Sequence, residues 1–288
     1  MTEPKAPRPA LRAVSPRSWA LLATTAALTA ATPVATLLVT APRAHASESD
    51  EAGEAGEAAT PVVTAEAGES GEAGESGVSH GDGPAEFLTE LGLYEAAHRI
   101  VAALYERGEH AEALDQLETS HHAFYEDIAP HLAEAGAPGF EAEARSFADA
   151  VSQDLSDEVV TARLSVLLSA IDQSRAAVGA TPRERVLSLK YLLDVAAADF
   201  AGGVDNGEIL ADHEYRDAWG FVETVRARAV ALTGSDDPAL AQAGRDVLTQ
   251  LERTAPLFPD LMPEAAPGDP AQISIAAAWV EIIALRLD

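Results

Sequence analysis

The stretch of sequence that decides the fold runs over residues 189–232. It reads LKYLLDVAAADF at 189–200, AGGVDNGEILA at 201–211 and DHEYRDAWGFVETVRARAVAL at 212–232. The first and last parts carry apolar residues three and four positions apart, which is the spacing of a helix with one buried face. The middle part contains three glycines and an asparagine, and these predict a tight turn. The stretch therefore predicts a hairpin of two helices.

The same kind of pattern covers the chain from Phe87 onward. Apolar residues keep the helical period, and Thr181–Glu184 reads as a capping box with proline at the first helical position. No alternating run bounded by turn residues indicates a strand. We therefore predict an all-α domain over residues 86–288, a bundle of about eight helices built from antiparallel hairpins. Trp219 and Trp279 lie on apolar stripes, so we expect both to be buried.

Residues 1–46 have the pattern of an export signal. Basic residues stand at the start, a mild apolar stretch follows from Trp19 to Thr40, and Ala44–Ala46 supplies a small-x-small cleavage site. The alternative is a retained membrane anchor, because the apolar stretch is long enough to span a bilayer. We expect the signal to be removed and the protein to be periplasmic or secreted.

Residues 47–85 form an acidic segment of low complexity. Glutamate recurs at every third position in two runs, and Gly68, Gly71, Gly74 and Gly77 share that period. With almost no apolar residues to bury, such a segment is expected to be a disordered, flexible linker between the signal and the helical domain.

The charge of the chain limits its partners. The 288 residues include 47 acidic and 19 basic ones, for a formal net charge of −28. So negative a field repels nucleic acid and anionic lipid surfaces and attracts cations, so we expect neither nucleic-acid nor direct lipid binding. Cysteine is absent, which excludes disulfides and thiolate metal sites. Arginine replaces lysine almost throughout and alanine is abundant, a bias typical of GC-rich bacterial genomes.

One segment of the sequence contains a candidate metal site. Glu118, His122 and Glu126 follow one another at intervals of four residues. On one continuous helix this spacing places the three side chains on the same face, and an imidazole with two carboxylates suits a divalent or ferric ion. The alternative is a solvated polar face whose side chains hydrogen-bond in pairs.

Two further acids flank the predicted turn. Asp199 lies near the end of a predicted helix, where the backbone dipole disfavours an acid, so it is expected to have a partner. That partner is a turn amide, an arginine or a cation. Glu214 lies in the first turn of the next helix, where the same dipole favours it.

The order of residues in this stretch resembles the extracytoplasmic helical region of the high-affinity iron permease family. The resemblance rests on Asp199-Phe200, on Gly207 in the turn and on Glu214-Tyr215. It implies that the protein handles iron or another metal. Asp199 and Glu214 would then supplement the ligands Glu118, His122 and Glu126. A second resemblance, to the exported imelysin-like helical proteins, rests on His131-Leu132-Ala133-Glu134.

No enzyme signature accompanies these residues. The sequence has no Gly-x-Ser-x-Gly elbow, no phosphate-binding glycine loop and no His-Glu-x-x-His pair. We therefore expect an exported, non-catalytic helical protein of bacterial metal uptake. It would bind or relay a cation, iron or another divalent or trivalent ion, or dock on a membrane permease or other envelope protein. The alternative is a helical scaffold for protein–protein interaction that holds no metal.

Overall fold

The computed structural model describes residues 77–266 and 268–287. These residues form nine α-helices, which confirms the all-α prediction. The helices are α1 (Gly83–Glu106), α2 (His110–Thr119), α3 (Tyr125–Glu134), α4 (Glu141–Ser152), α5 (Asp157–Ala177), α6 (Pro182–Gly203), α7 (Asp212–Thr233), α8 (Pro238–Leu251) and α9 (Ala271–Ala284). The predicted signal at 1–46 and most of the predicted linker lie outside the described residues. Helix α1 begins at Gly83, three residues before the predicted start of the helical domain.

The predicted hairpin is formed by α6 and α7. Between them, strand β1 (Val204–Asp205) pairs antiparallel with strand β2 (Glu208–Ile209) across a two-residue turn. Asn206 and Gly207 in this turn have φ of 50° and 84°, a backbone conformation that asparagine and glycine tolerate best. The turn chemistry in the sequence therefore decides where α6 ends and α7 begins.

Helices α6, α7, α8 and α9 pack into a four-helix bundle. Helix α6 contacts α7 and α9, and α8 contacts the same two helices. The capping box predicted at the start of α6 is present, with the Thr181 hydroxyl accepting from the Glu184 backbone amide and the Glu184 carboxylate accepting from the Thr181 amide. At the start of α8, the Asp237 side chain accepts from two backbone amides. These caps satisfy helix-end donors that would otherwise lack partners.

Helix α1 connects this bundle to the N-terminal helices. Seventeen of its 24 residues are buried, so the helix is enclosed on nearly all sides. Leu93 and Ala96 belong to the core of the four-helix bundle, whereas Phe87, Leu91 and Ile100 belong to a second core shared with α2–α5. The two cores therefore lie on different sides of one central helix.

The segment that carries Glu118, His122 and Glu126 is not one continuous helix. Helix α2 ends at Thr119, a 3-10 helix covers His121–Ala123, and α3 begins at Tyr125. The breaks fall at Ser120 and Phe124, whose backbones are extended with ψ of 118° and 120°. The expectation of one shared helical face is therefore wrong.

The expected burial of the two tryptophans is wrong for Trp279. Trp219 is half-buried and packs against the second core. Trp279 is 43 % exposed and forms a stripe on the outer face of α9 with Ile275, Ile282 and Leu285. Helix α9 buries its opposite face, through Ile273, Ala276, Ala277, Val280 and Ile283.

No helix in the described part of the chain is both long enough and apolar enough to cross a membrane.

Candidate functional site

Four histidines meet at a cavity between α1 and the segment that follows α2. The cavity has a volume of about 380 Å³. The residues preceding α1, helix α1, the 3-10 helix and α3 all contribute to it. We call it the histidine cavity, and its ionisable lining residues are His80, Glu90, Tyr94, His121, His122, Asp127 and His131.

The Glu90 carboxylate is the acid that the histidines surround. Nδ1 of His80 lies 2.5 Å from Oε1 of Glu90. Burial raises the pKa of the Glu90 carboxyl, but the His80 hydrogen bond and the charges of His80, His131 and His122 outweigh this, so the pKa lies below its ordinary value. Glu90 is therefore held as a carboxylate that faces imidazoles from three separate segments.

Ring contacts hold the 3-10 helix against the bundle. The ring centroids of His121 and His122 are 3.8 Å apart, and the His122 ring meets Phe221 of α7 edge-on at 5.6 Å. Both histidines are half-buried. Of the three ligands predicted in this segment, His122 is the one that lines the cavity.

Tyr94 adds a buried hydroxyl to the same wall. Its side chain is almost fully buried, and the hydroxyl oxygen has no hydrogen-bond partner within residues 77–266 and 268–287. Burial, with the neighbouring charges of Tyr125 and Glu126, raises the pKa of this phenol. A buried hydroxyl without a protein partner is costly, which marks this wall as a place where a bound species would be stabilised.

The predicted carboxylate ligands of this segment lie elsewhere. Glu118 is exposed near the end of α2, and Glu126 is exposed in the first turn of α3. Neither lines the cavity. Across the described ranges, no three histidine or carboxylate side chains are already grouped as ligands of a metal ion. Binding a cation in the histidine cavity would thus require its side chains to move closer together.

Asp199 and Glu214 are buried on the two sides of the α6–α7 turn. Asp199 lies in the last turns of α6 and Glu214 in the first turn of α7. A Cβ on Gly203 would lie 2.7 Å from Cβ of Glu214, so glycine is required for this close approach. Nε2 of His213 is 4.0 Å from Oε1 of Glu214. The prediction that these acids bind metal stays a prediction, and neither lines the histidine cavity.

A second group of charges lies inside the fold around Glu95 of α1, which is fully buried. Its Oε1 accepts from Nε of Arg99 at 2.8 Å, and its Oε2 accepts from Arg228 and from Nη2 of Arg175 at 3.0 Å. Asp172 accepts from Arg175 at 2.8 Å and also from Arg228. We call these five residues the arginine cluster. Because its members come from α1, α5 and α7, it ties the two cores together.

Sequence reasoning missed most of the histidine cavity. His80 falls within the predicted linker, and neither Glu90 nor Tyr94 is among the predicted site residues. Glu90 and Tyr94 are four residues apart and therefore share a helical face, a signal that was present in the sequence. The meeting of this face with the 3-10 helix depends on tertiary packing.

Residues 175–283 match a family model described as the iron permease-associated 4-helix bundle domain. The match starts in the last turn of α5 and extends through α6, α7 and α8 to the penultimate residue of α9. The chain matches none of the curated proteins and none of the solved structures. The histidine cavity lies outside the matched range. The four-helix bundle of this chain is thus similar to the iron permease-associated domain, as the sequence of its central hairpin predicts.

Proposed function

We propose that this protein is an exported, non-catalytic component of iron uptake that binds a metal cation in the histidine cavity and works beside a membrane permease. The observation that carries the proposal is the histidine cavity itself, which is lined by four imidazoles and the half-buried carboxylate of Glu90. The match to the iron permease-associated domain supports a role with iron and a permease as the partner.

The lining of the cavity has the chemistry of a site for first-row metals. Neutral imidazole and carboxylate are the usual protein ligands of ferrous, manganese and zinc ions, whereas a copper(I) site would need sulfur. We propose His80, Glu90 and His122 as the principal ligands, with His131 and the Tyr94 phenol completing the shell. The His80–Glu90 pair, with 2.5 Å between Nδ1 and Oε1, holds the acid in place. A cation would replace the proton of that pair.

The charge of the whole chain favours the same conclusion. A formal net charge of −28 raises the local concentration of cations around the protein. Such a diffuse field gives no selectivity, and salt screens it within about 8 Å at physiological ionic strength. Cation binding by several ligands in a partly buried cavity is far less sensitive to salt. The salt dependence of the affinity therefore distinguishes a specific metal site from attraction by the diffuse field.

Titration of the purified protein with ferrous ion under anaerobic conditions, and with zinc, tests the proposal. Wild-type protein is expected to bind one ion at physiological salt, and His122→Ala or His80→Ala to weaken binding at least tenfold. His110→Ala is the matched control, because His110 is a half-exposed histidine outside the cavity. Equal binding by all four proteins, or binding that vanishes at physiological salt, would contradict the proposal. A helical scaffold for protein–protein interaction that holds no metal would then be the better explanation of the protein's function.

A further inference from the structure

A second cavity, of about 320 Å³, lies where the ends of several helices meet. Its walls come from α1, the end of α5, the start of α6, the end of α7 and the start of α8. We call it the bundle-end cavity. A volume of this size is near the lower end of the range of about 300–1,000 Å³ typical of small-molecule sites. It shares no lining residue with the histidine cavity.

The lining of the bundle-end cavity combines charged and apolar side chains. Three arginines and one acid contribute the charges, Arg175, Arg185, Arg228 and Asp172. Leucines supply most of the apolar surface: Leu88, Leu189, Leu192, Leu232 and Leu240. Guanidinium groups next to apolar side chains are complementary to a molecule with one anionic group and an apolar body.

The charges at this cavity do not balance. Of the three arginines that line it, Arg175 and Arg228 pair with Glu95 and with Asp172, which also lines the cavity. Arg185 adds a further positive charge, and its only hydrogen bond within the described residues runs from Nε to the Ala180 carbonyl, at 3.1 Å. In a chain with a net charge of −28, this local excess of positive charge is opposite in sign to the whole.

The two cluster arginines that line the cavity differ in their surroundings. Burial, followed by repulsion from Arg228, lowers the pKa of Arg175 to about 10, whereas Glu95 and Asp172 outweigh burial and raise the pKa of Arg228. Nε of Arg228 is buried and donates to no acceptor in the part of the chain that is described. A nearby anion would relieve the repulsion and accept hydrogen bonds, preferably from guanidinium groups, whose planar fork suits carboxylates.

We propose that the bundle-end cavity binds a small organic anion, a monocarboxylate with an apolar chain. Its carboxylate faces Arg185, Arg175 and Arg228, and its chain lies along the leucines. Arg185 is the residue that decides affinity, because the other two arginines already hold Glu95 and Asp172. This site is independent of the metal site, so either can fail without the other.

Calorimetric titration with three probes tests the proposal: octanoate, octanol and inorganic phosphate. Octanol has the apolar chain without the charge, and phosphate has the charge without the chain. Octanoate is expected to bind wild-type protein at one site at least tenfold more tightly than either of the others. Arg185→Gln is expected to weaken octanoate binding at least tenfold. Arg183→Gln, two residues earlier and outside the cavity, is the control and should leave it unchanged.

Several outcomes would overturn the proposal. They are no octanoate binding, equal binding of octanol or phosphate, and unaltered octanoate binding by Arg185→Gln. Should Arg185→Gln fail to fold, the comparison of the three probes on the wild-type protein still decides.

Discussion

Replacing Glu95 by glutamine removes a carboxylate that three arginines share. The change keeps the size of the side chain and removes its charge, so Arg175 and Arg228 keep Asp172 as a partner, while Arg99 loses its acid within the cluster. Breaking a buried ion pair by removing one partner costs about 3–5 kcal/mol, because the remaining charges stay buried. The free energy of unfolding should fall by that amount.

The size of this loss in the free energy of unfolding also follows from the pKa of Glu95. Burial raises this pKa, but Arg228, Arg175 and Arg99 outweigh burial and lower it from 4.5 to about 2. This difference corresponds to roughly 3 kcal/mol of stability at neutral pH. Because the folded pKa is below the unfolded one, the contribution is complete above pH 4.5 and is lost as the pH falls to about 2. The stability difference between wild type and Glu95→Gln should shrink over that window.

Urea denaturation at pH 7 measures the effect directly, as a shift of the midpoint at unchanged slope. Glu141→Gln is the control, since Glu141 forms an exposed pair with Arg145 and such pairs contribute about 0–1 kcal/mol. A loss below about 1 kcal/mol for Glu95→Gln, or one equal to that of the control, would refute the role assigned to the arginine cluster.

Three further predictions concern other buried or exposed positions. Burial lowers the pKa of His98 from 6.5 to about 4. Roughly 3 kcal/mol of the free energy of unfolding is therefore lost as the pH falls from 6.5 to 4. Urea denaturation of His98→Gln over the same pH range should lack this loss. Gly203→Ala should cost about 1–3 kcal/mol in urea denaturation, because its Cβ would meet Glu214 and the backbone; Gly234→Ala, with only an ordinary contact at 3.5 Å, should cost far less. Trp279→Ala should lower the free energy of unfolding by well below the roughly 3–5 kcal/mol of a buried tryptophan. A loss of roughly 3–5 kcal/mol in urea denaturation would show that Trp279 is buried.

The helices could be predicted because their signals are local. Apolar residues at helical spacing, the capping box at Thr181 and the turn at Asn206-Gly207 act within a few residues of sequence, and all appear in the structure. The outward face of α9 could not be predicted from periodicity. Helix α9 is apolar on both sides, so the pattern did not show which side the bundle covers.

The candidate site was predicted less well because it is assembled from distant segments. The spacing of Glu118, His122 and Glu126 implied a shared face only while the helix continued, and the extended backbones at Ser120 and Phe124 end that relation. His122 instead lines a cavity together with Glu90 of α1 and His80, which precedes that helix. Such a meeting depends on how α1 packs against the 3-10 helix, which local spacing does not encode.

The most direct test of the proposed function is the ligand shell of a bound metal. Zinc serves as a redox-inert probe for X-ray absorption spectroscopy of the protein loaded with one equivalent at physiological salt. We expect nitrogen and oxygen ligands at about 2.0–2.2 Å, with imidazole scattering that decreases in His122→Ala and persists in His110→Ala. A shell of oxygen atoms without imidazole, or a spectrum unchanged by His122→Ala, would contradict the assignment of the histidine cavity as the metal centre.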